Sequence, residues 1–77
     1  MLIPPVSHPV WTQLVTGQKM CQFDSLATKI FLGSAKLRAS QDASPENIRK
    51  LGAGLHELFV KNQRLPSVQQ DLSKLAE

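Results

Sequence analysis

The segment from Ser44 to Arg64 constrains the fold more than any other part of this 77-residue chain, because it carries the clearest helical signal. Ser44 is a favourable N-cap, and Pro45 fits the first helical position, where no backbone N–H is needed. Apolar residues then recur at three- and four-residue steps, which places them along one side of a helix. These residues are Ile48, Leu51, Leu55, Leu58 and Phe59. The pattern predicts a helix over residues 45–62 with one buried side.

A second long helix is predicted over residues 25–38, and it is apolar on two sides. Ile30 and Leu37 belong to its main apolar stripe, whereas Leu32 lies off that stripe. A helix that is apolar beyond one stripe is either central or in contact with another chain. We therefore interpret Leu32 as a residue that could meet a partner.

Small residues occur in both long helices, at Gly33–Ser34 and at Gly52–Gly54. A glycine inside a helix costs about 1 kcal/mol relative to alanine, so two such patches call for a structural reason. We predict that the patches face each other and let the two helices cross closely. A large residue at position 52 should then destabilise the fold well beyond its effect on helix propensity.

Two shorter helices are predicted on either side of the long pair. The first spans residues 9–16, where Ser7 or His8 would cap it and a glycine follows its end. The second spans residues 67–76, where Ser67 opens a capping box. Neither helix is long enough to be stable alone, so both must dock on the long helices.

The remaining segments are an N-terminal arm and connectors. Residues 1–8 are apolar and stiffened by proline, and we expect them to pack on their own domain. Residues 18–23 are assigned as a connector, because no second strand is available to pair with them. Short loops make sequential helices antiparallel neighbours. We therefore predict that residues 1–77 form an all-α, single-domain bundle of three to four helices, mostly antiparallel with short loops.

The predicted core collects the apolar residues that lie on the helical stripes. They are Trp11, Leu14, Phe23, Leu26, Ile30, Phe31, Leu37, Ile48, Leu51, Leu55, Leu58, Phe59, Val68, Leu72 and Leu75.

Size and charge limit the classes of function. A chain of this length buries only about 60% of its unfolded surface, so a partner or self-association is a common aid to stability. Lys and Arg outnumber Asp and Glu by 9 to 6, without the block of like charge that marks a nucleic-acid-binding arm. The single cysteine and the absence of a long apolar run favour a cytoplasmic protein with no membrane partner.

No combination of residues indicates catalysis. Cys21 lies in an apolar stretch that favours an unreactive thiol, and His56 has no histidine or carboxylate four residues away. The carboxylates lie at helix starts or four residues before a lysine, as in Glu46–Lys50 and Glu57–Lys61. We therefore expect no catalytic residue, no metal ligand and no cofactor. A small enzyme or metal carrier built around Cys21 and His56 is a distant third hypothesis.

One segment has a local resemblance to a known family. The run from Gln63 to Leu72, QRLPSVQQDL, resembles the segment that opens the second helix of winged-helix repressors of the GntR family. The resemblance covers about ten residues, and the sequence ends at Glu77, where the recognition helix of that family would follow. No base-contacting residue carries over. We interpret the match as a shared way of starting a helix and assign no family.

The leading hypothesis is a small non-enzymatic protein–protein interaction module, acting as an accessory or regulatory subunit or by self-association. Its basis is the excess of apolar residues over what so small a core can bury. The partner would be another protein or a second copy, with a homo-oligomer expected. The predicted partner-binding residues are Leu32, Arg49, Lys50, His56, Val60, Lys61 and Arg64.

The alternative hypothesis is a nucleic-acid-binding regulator. It would use the basic flank of the helix predicted over residues 45–62, because basic side chains contact phosphates. The residues concerned are Arg49, Lys50, Lys61, Arg64 and Lys74.

Overall fold

The computed structural model describes residues 3–17 and 26–76, apart from the side chains of residues 26–28, 31 and 76. All regular structure in these ranges is α-helical, and neither range contains a strand. The predicted all-α fold class is therefore confirmed. The connector predicted at residues 18–23 lies outside the described residues.

The described residues form helices α1 (Val10–Thr16), α2 (Leu26–Gln41), α3 (Pro45–Asn62) and α4 (Pro66–Ala76). Loops of three residues separate α2 from α3 and α3 from α4. α3 packs against each of the other helices, and α1 also packs against α2. The helix with the clearest sequence pattern is thus the centre of the bundle.

The start of α3 is fixed by side-chain hydrogen bonds. Ser44 is the N-cap, and its Oγ accepts a hydrogen bond of 3.3 Å from the Asn47 backbone N–H. The Asp42 carboxylate accepts a hydrogen bond from the Ser44 N–H at 3.1 Å, and the Asp42 carbonyl accepts one from the Asn47 side chain at 2.6 Å. These bonds hold the loop between α2 and α3 in one geometry.

α2 extends three residues beyond its predicted end and turns a different side to the core. Ala35 and Ala39 are buried, and the half-buried Leu32 packs against the core. Ile30 and Leu37, which we expected in the core, are 61% and 62% exposed. That part of the prediction was wrong because helices approach each other more closely over small side chains, and the alanine side of α2 offers them.

The small patches of the two long helices do not face each other. An added Cβ at Gly33 would meet no atom within 4 Å, and Ser34 is exposed. Gly52 lies against α1 instead, where an added Cβ would be 3.2 Å from the carbonyl carbon of Trp11 and 3.3 Å from the backbone nitrogen of Thr12. A close helix crossing does occur at Gly52, but its partner is α1 and not α2.

Trp11 lies at the centre of the core with 1% of its surface exposed. Its ring centroid is 5.6 Å from that of Phe59 and 5.2 Å from that of His56. Its indole N–H donates to the carbonyl oxygens of Pro4 at 3.2 Å and Pro5 at 3.0 Å. One side chain therefore joins the N-terminal arm, α1 and α3.

The described part of the N-terminal arm lies on its own domain. Ile3 packs against the core, and the imidazole Nδ1 of His8 accepts a hydrogen bond of 3.1 Å from the Val10 N–H at the start of α1. α1 ends at Gly17, which has a φ of 77°. Glycine adopts this left-handed conformation at little cost. Gly17 therefore ends the helix, as the sequence predicts.

Most predicted core positions in the other helices are buried. The buried ones are Trp11, Leu14, Leu51, Leu55, Phe59, Val68, Leu72 and Leu75. Ile48 and Leu58 are half-buried. Phe23 and the side chains of Leu26 and Phe31 lie outside the described part of the chain. Val10 and Val15 complete the core from α1.

α4 contains a fully buried carboxylate that the sequence pattern did not indicate. Asp71 has 0% of its surface exposed, although its type and position suggested a simple role near the helix start. Among the described residues, no buried side-chain nitrogen or oxygen lacks a hydrogen-bond partner, so the burial of Asp71 is compensated. α4 begins at Pro66, which places Ser67 inside its first turn and not before it.

The two glycines give a matched test of the packing. Gly33→Ala should raise the free energy of unfolding by about 0.5–1 kcal/mol, because it improves helix propensity in open space. Gly52→Ala should lower it by about 1–3 kcal/mol, because its methyl group would press on the backbone of α1, and Gly52→Leu should lower it further. Urea unfolding followed by circular dichroism measures both. A Gly52→Ala protein as stable as the parent would contradict the close crossing.

Trp11→Phe tests how the arm is held. The substitution keeps an aromatic ring but removes the N–H that reaches the carbonyls of Pro4 and Pro5, and it leaves a gap in the core. The free energy of unfolding should fall by about 1–3 kcal/mol. Limited proteolysis should show faster cleavage within residues 3–8. Val6→Ala is the control, because Val6 is 54% exposed, and it should leave both measurements unchanged.

Candidate protein-interaction surface

Five of the seven predicted interaction residues lie on the exposed side of α3 and in the turn that follows it. They are Arg49, Lys50, Val60, Lys61 and Arg64, and all are exposed. Val60 is the apolar member of this group and is 39% exposed. Leu51, Leu55 and Phe59 on α3 face the core. The exposed predicted interaction residues lie on the opposite side of the helix and face outward. We call this group the α3 basic flank.

Negative charges lie next to the α3 basic flank on the same helix. Lys61 forms an ion pair of 3.0 Å with Glu57, and the two side chains are 70% and 65% exposed. Glu46 lies four residues before Lys50 and is also exposed. Lys74, the remaining cation of the nucleic-acid hypothesis, is half-buried on α4. A mixed and partly paired set of charges attracts phosphates less than an uninterrupted basic face does.

His56 does not belong to the solvated side of α3. Its imidazole meets the indole of Trp11 edge-on, with an angle of 86° between the rings and 5.2 Å between their centroids. This T-shaped geometry is a favourable contact between aromatic rings. The structure therefore places His56 as a half-buried residue that packs on Trp11, unlike the exposed predicted interaction residues of α3.

Leu32 packs on the core, and a different part of α2 is exposed. Ile30 and Leu37 lie two turns apart on the same side of the helix, with Gly33 and Ser34 between them. We call these four residues the α2 outer face. The sequence did predict surplus apolar side chains; among the described residues, Ile30 and Leu37 are the most exposed large ones, whereas Leu32 is half-buried.

The charged side chains of α2 that lie beside the α2 outer face are all positive. At 3.6 residues per turn, Lys29 and Lys36 lie along one edge of the face and Arg38 along the other. All three are exposed. The sequence of α2, LATKIFLGSAKLRASQ, contains no aspartate or glutamate. The α2 outer face therefore lies between positively charged edges, whereas the exposed side of α3 carries charges of both signs.

Lys36 also has a contact within the domain. Its Cε would lie 3.8 Å from a Cβ at Gly17, so its stem passes over the end of α1. An open groove of about 420 Å³ lies beside it, with Val15, Ala39 and Ile48 among its lining residues. A helix C-terminus carries partial negative charge, which a lysine ammonium complements. The lysine at this groove therefore has a structural role at the end of α1.

The described residues contain no group of three or more His, Cys, Asp or Glu side chains that could hold a metal ion. Cys21 lies outside the part of the chain that the structure describes. Within the same limits, none of the helices combines the length and the hydropathy that crossing a bilayer requires. Comparisons of the chain with protein-family models, with curated proteins and with solved structures gave no match.

The position of His56 predicts a measurable difference from its neighbours on α3. His56→Ala should lower the free energy of unfolding by about 1 kcal/mol, because it removes the edge contact with Trp11. Arg49→Ala, at an exposed position of the same helix, should change it by less than about 0.5 kcal/mol. Urea unfolding of the two variants under identical conditions provides the comparison. Equal effects would mean that the ring contact contributes nothing.

Proposed function

We propose that this chain is a small, non-enzymatic, cytoplasmic interaction module that binds another protein through the α2 outer face. The observation that carries the proposal is the exposure of Ile30 and Leu37, at 61% and 62%, on one side of a helix. Single exposed apolar residues are ordinary on protein surfaces, whereas apolar residues that share one face mark interaction sites.

The energetics of this face favour burial. Full burial of an isoleucine or leucine side chain stabilises by about 1.5–3 kcal/mol, and both residues retain more than half of their surface for a partner. They lie about 10 Å apart along the helix axis, since each residue of a helix rises 1.5 Å. This distance matches the two-turn repeat with which helices present anchors to one another. The face therefore suits a helical partner.

The alternative, nucleic-acid binding through the α3 basic flank, has weaker support. Its exposed cations are interleaved with Glu46 and Glu57, and Lys61 is already paired with Glu57. Aromatic side chains that could stack on bases are also lacking there, because Trp11 and Phe59 are buried in the core. A gel-shift assay with duplex DNA at low salt tests this alternative separately, and a salt-sensitive shift that Arg49→Glu abolishes would support it.

Site-specific photo-crosslinking in the native cell tests the proposed surface. A photoreactive amino acid at position 37 should form an adduct with a protein, whereas the same group at position 50, on the exposed side of α3, should not. Introducing Ile30→Ser into the position-37 protein should reduce the adduct several-fold, because it removes the second apolar anchor. The mass of the adduct shows whether the partner is a second copy.

Two results would contradict the proposal. One is an equally abundant adduct from positions 37 and 50, which would indicate contact without a preferred surface. The other is an adduct at position 37 that Ile30→Ser leaves unchanged. Circular dichroism of each variant checks that the helices are intact, so that a lost adduct reflects a lost contact.

A further inference from the structure

We infer that the occupant of the α2 outer face is an acidic amphipathic helix of another protein, and not a second copy of this chain. The inference rests on the proposed function, because it names the chemistry of the partner that the same face would bind. Three features of the described residues support it: the sign of the charges beside the face, the lack of a matching surface on the chain itself, and the open notch at Gly33.

The cations of α2 lack the acidic neighbours on their own helix that two of the cations of α3 have. α3 places Glu46 four residues before Lys50, and Glu57 forms an ion pair with Lys61. The cations of α2 have no acidic residue on their own helix. Lys36 already lies over the C-terminus of α1, whereas Lys29 and Arg38, one on each edge of the face, form no ion pair with a carboxylate among the described residues. Complementary potentials steer association and fix register, so unmatched positive edges call for negative ones.

Among the described residues of a second copy, no exposed carboxylates are placed to supply those negative edges. Two α2 outer faces placed against each other would bring together the cations of both copies, which is unfavourable. The exposed carboxylates lie elsewhere: Asp42 is bonded within the loop before α3, while Glu46 and Glu57 are interleaved with lysines. The described surface therefore offers no apolar strip with acidic edges. The charges of the described residues therefore favour a different protein as the source of that surface.

The notch at Gly33 indicates a close approach from outside. A Cβ added there would meet nothing within 4 Å, so the packing of this domain gives no reason for a glycine. Glycine is nevertheless a poor residue for a helix interior. Because Gly33 has no side chain between Ile30 and Leu37, the backbone of a second helix could approach α2 closely at this position. The partner helix would then cross α2 between its two apolar anchors.

A titration with two designed peptides tests the inference. Both peptides are amphipathic helices with the same leucine stripe, and they differ in carrying either glutamate or lysine beside it. In ¹H–¹⁵N spectra of the full chain, the acidic peptide should shift the amide signals of Ile30, Gly33 and Leu37. It should bind at least about tenfold more tightly than the basic peptide. Its affinity should fall several-fold between about 0.05 M and about 0.5 M salt, because salt screens exposed charges.

A charge-reversed variant provides the decisive comparison. Lys29→Glu with Arg38→Glu should reverse the preference, so that the basic peptide binds more tightly than the acidic one. Lys36 is left intact in this variant, since its stem lies over Gly17. The matched control, Arg49→Glu with Lys50→Glu on α3, should keep the original preference. Gly33→Leu should weaken binding of the acidic peptide by filling the notch, while the spectrum of the folded chain is retained.

Several outcomes would overturn the inference. They are equal binding of the two peptides, signal shifts confined to α3, an unchanged preference in the charge-reversed variant, and no shift at millimolar peptide. A crosslink at position 37 to a second copy of this chain would also overturn it. If position 37 crosslinks to another protein but no acidic preference appears, the interaction function stands and the inferred partner chemistry fails. If Ile30→Ser leaves the crosslink at position 37 unchanged, the proposed function fails, and the inferred partner chemistry fails with it.

Discussion

The contact between Trp11 and the Gly52 region of α3 is the constraint on which the rest of the structure depends. α1 has only two turns and cannot be stable alone. It is held because Gly52 has no side chain, which lets the backbone of α1 pack closely on α3. A Cβ at Gly52 would lie only 3.2 Å from the carbonyl carbon of Trp11. The indole then fills the space beside Phe59 and donates its N–H to Pro4 and Pro5. A single tight crossing thus organises the arm, α1 and α3.

The orientation of α2 follows from the same preference for close approach. Ala35 and Ala39 turn inward with Leu32. Its larger residues Ile30 and Leu37 are left outside, although burying them would remove more apolar surface from water. Close packing explains the choice, since the gain from a large side chain is realised only where the neighbouring helices leave room for it. The exposed face of α2 is therefore a product of how the core was packed, and it leaves apolar surface available to a partner.

The two exposed surfaces differ in what they can bind. The cations of the α3 basic flank are interleaved with Glu46 and Glu57, and Lys61 forms an ion pair with Glu57. The α2 outer face contains the exposed apolar residues Ile30 and Leu37, with Gly33 between them. The charged residues of α2 beside this face are all positive. Apolar anchors supply binding energy and charged edges supply specificity and register. The α2 outer face combines both, which is why we place the interaction there.

The sequence by itself determined the helices and the inward side of α3, because capping residues and a regular apolar stripe are local signals. Ser44 capped the predicted helix, and Leu51, Leu55 and Phe59 turned inward as their spacing indicates. The side that α2 presents, the packing of His56 on Trp11 and the partner of Gly52 were decided by the tertiary structure. The apolar residues of α2 lie on two sides of the helix and not along one stripe. The periodicity of the sequence therefore could not indicate which side is buried. That selection required the shapes of α1 and α3, which exist only once the chain has folded.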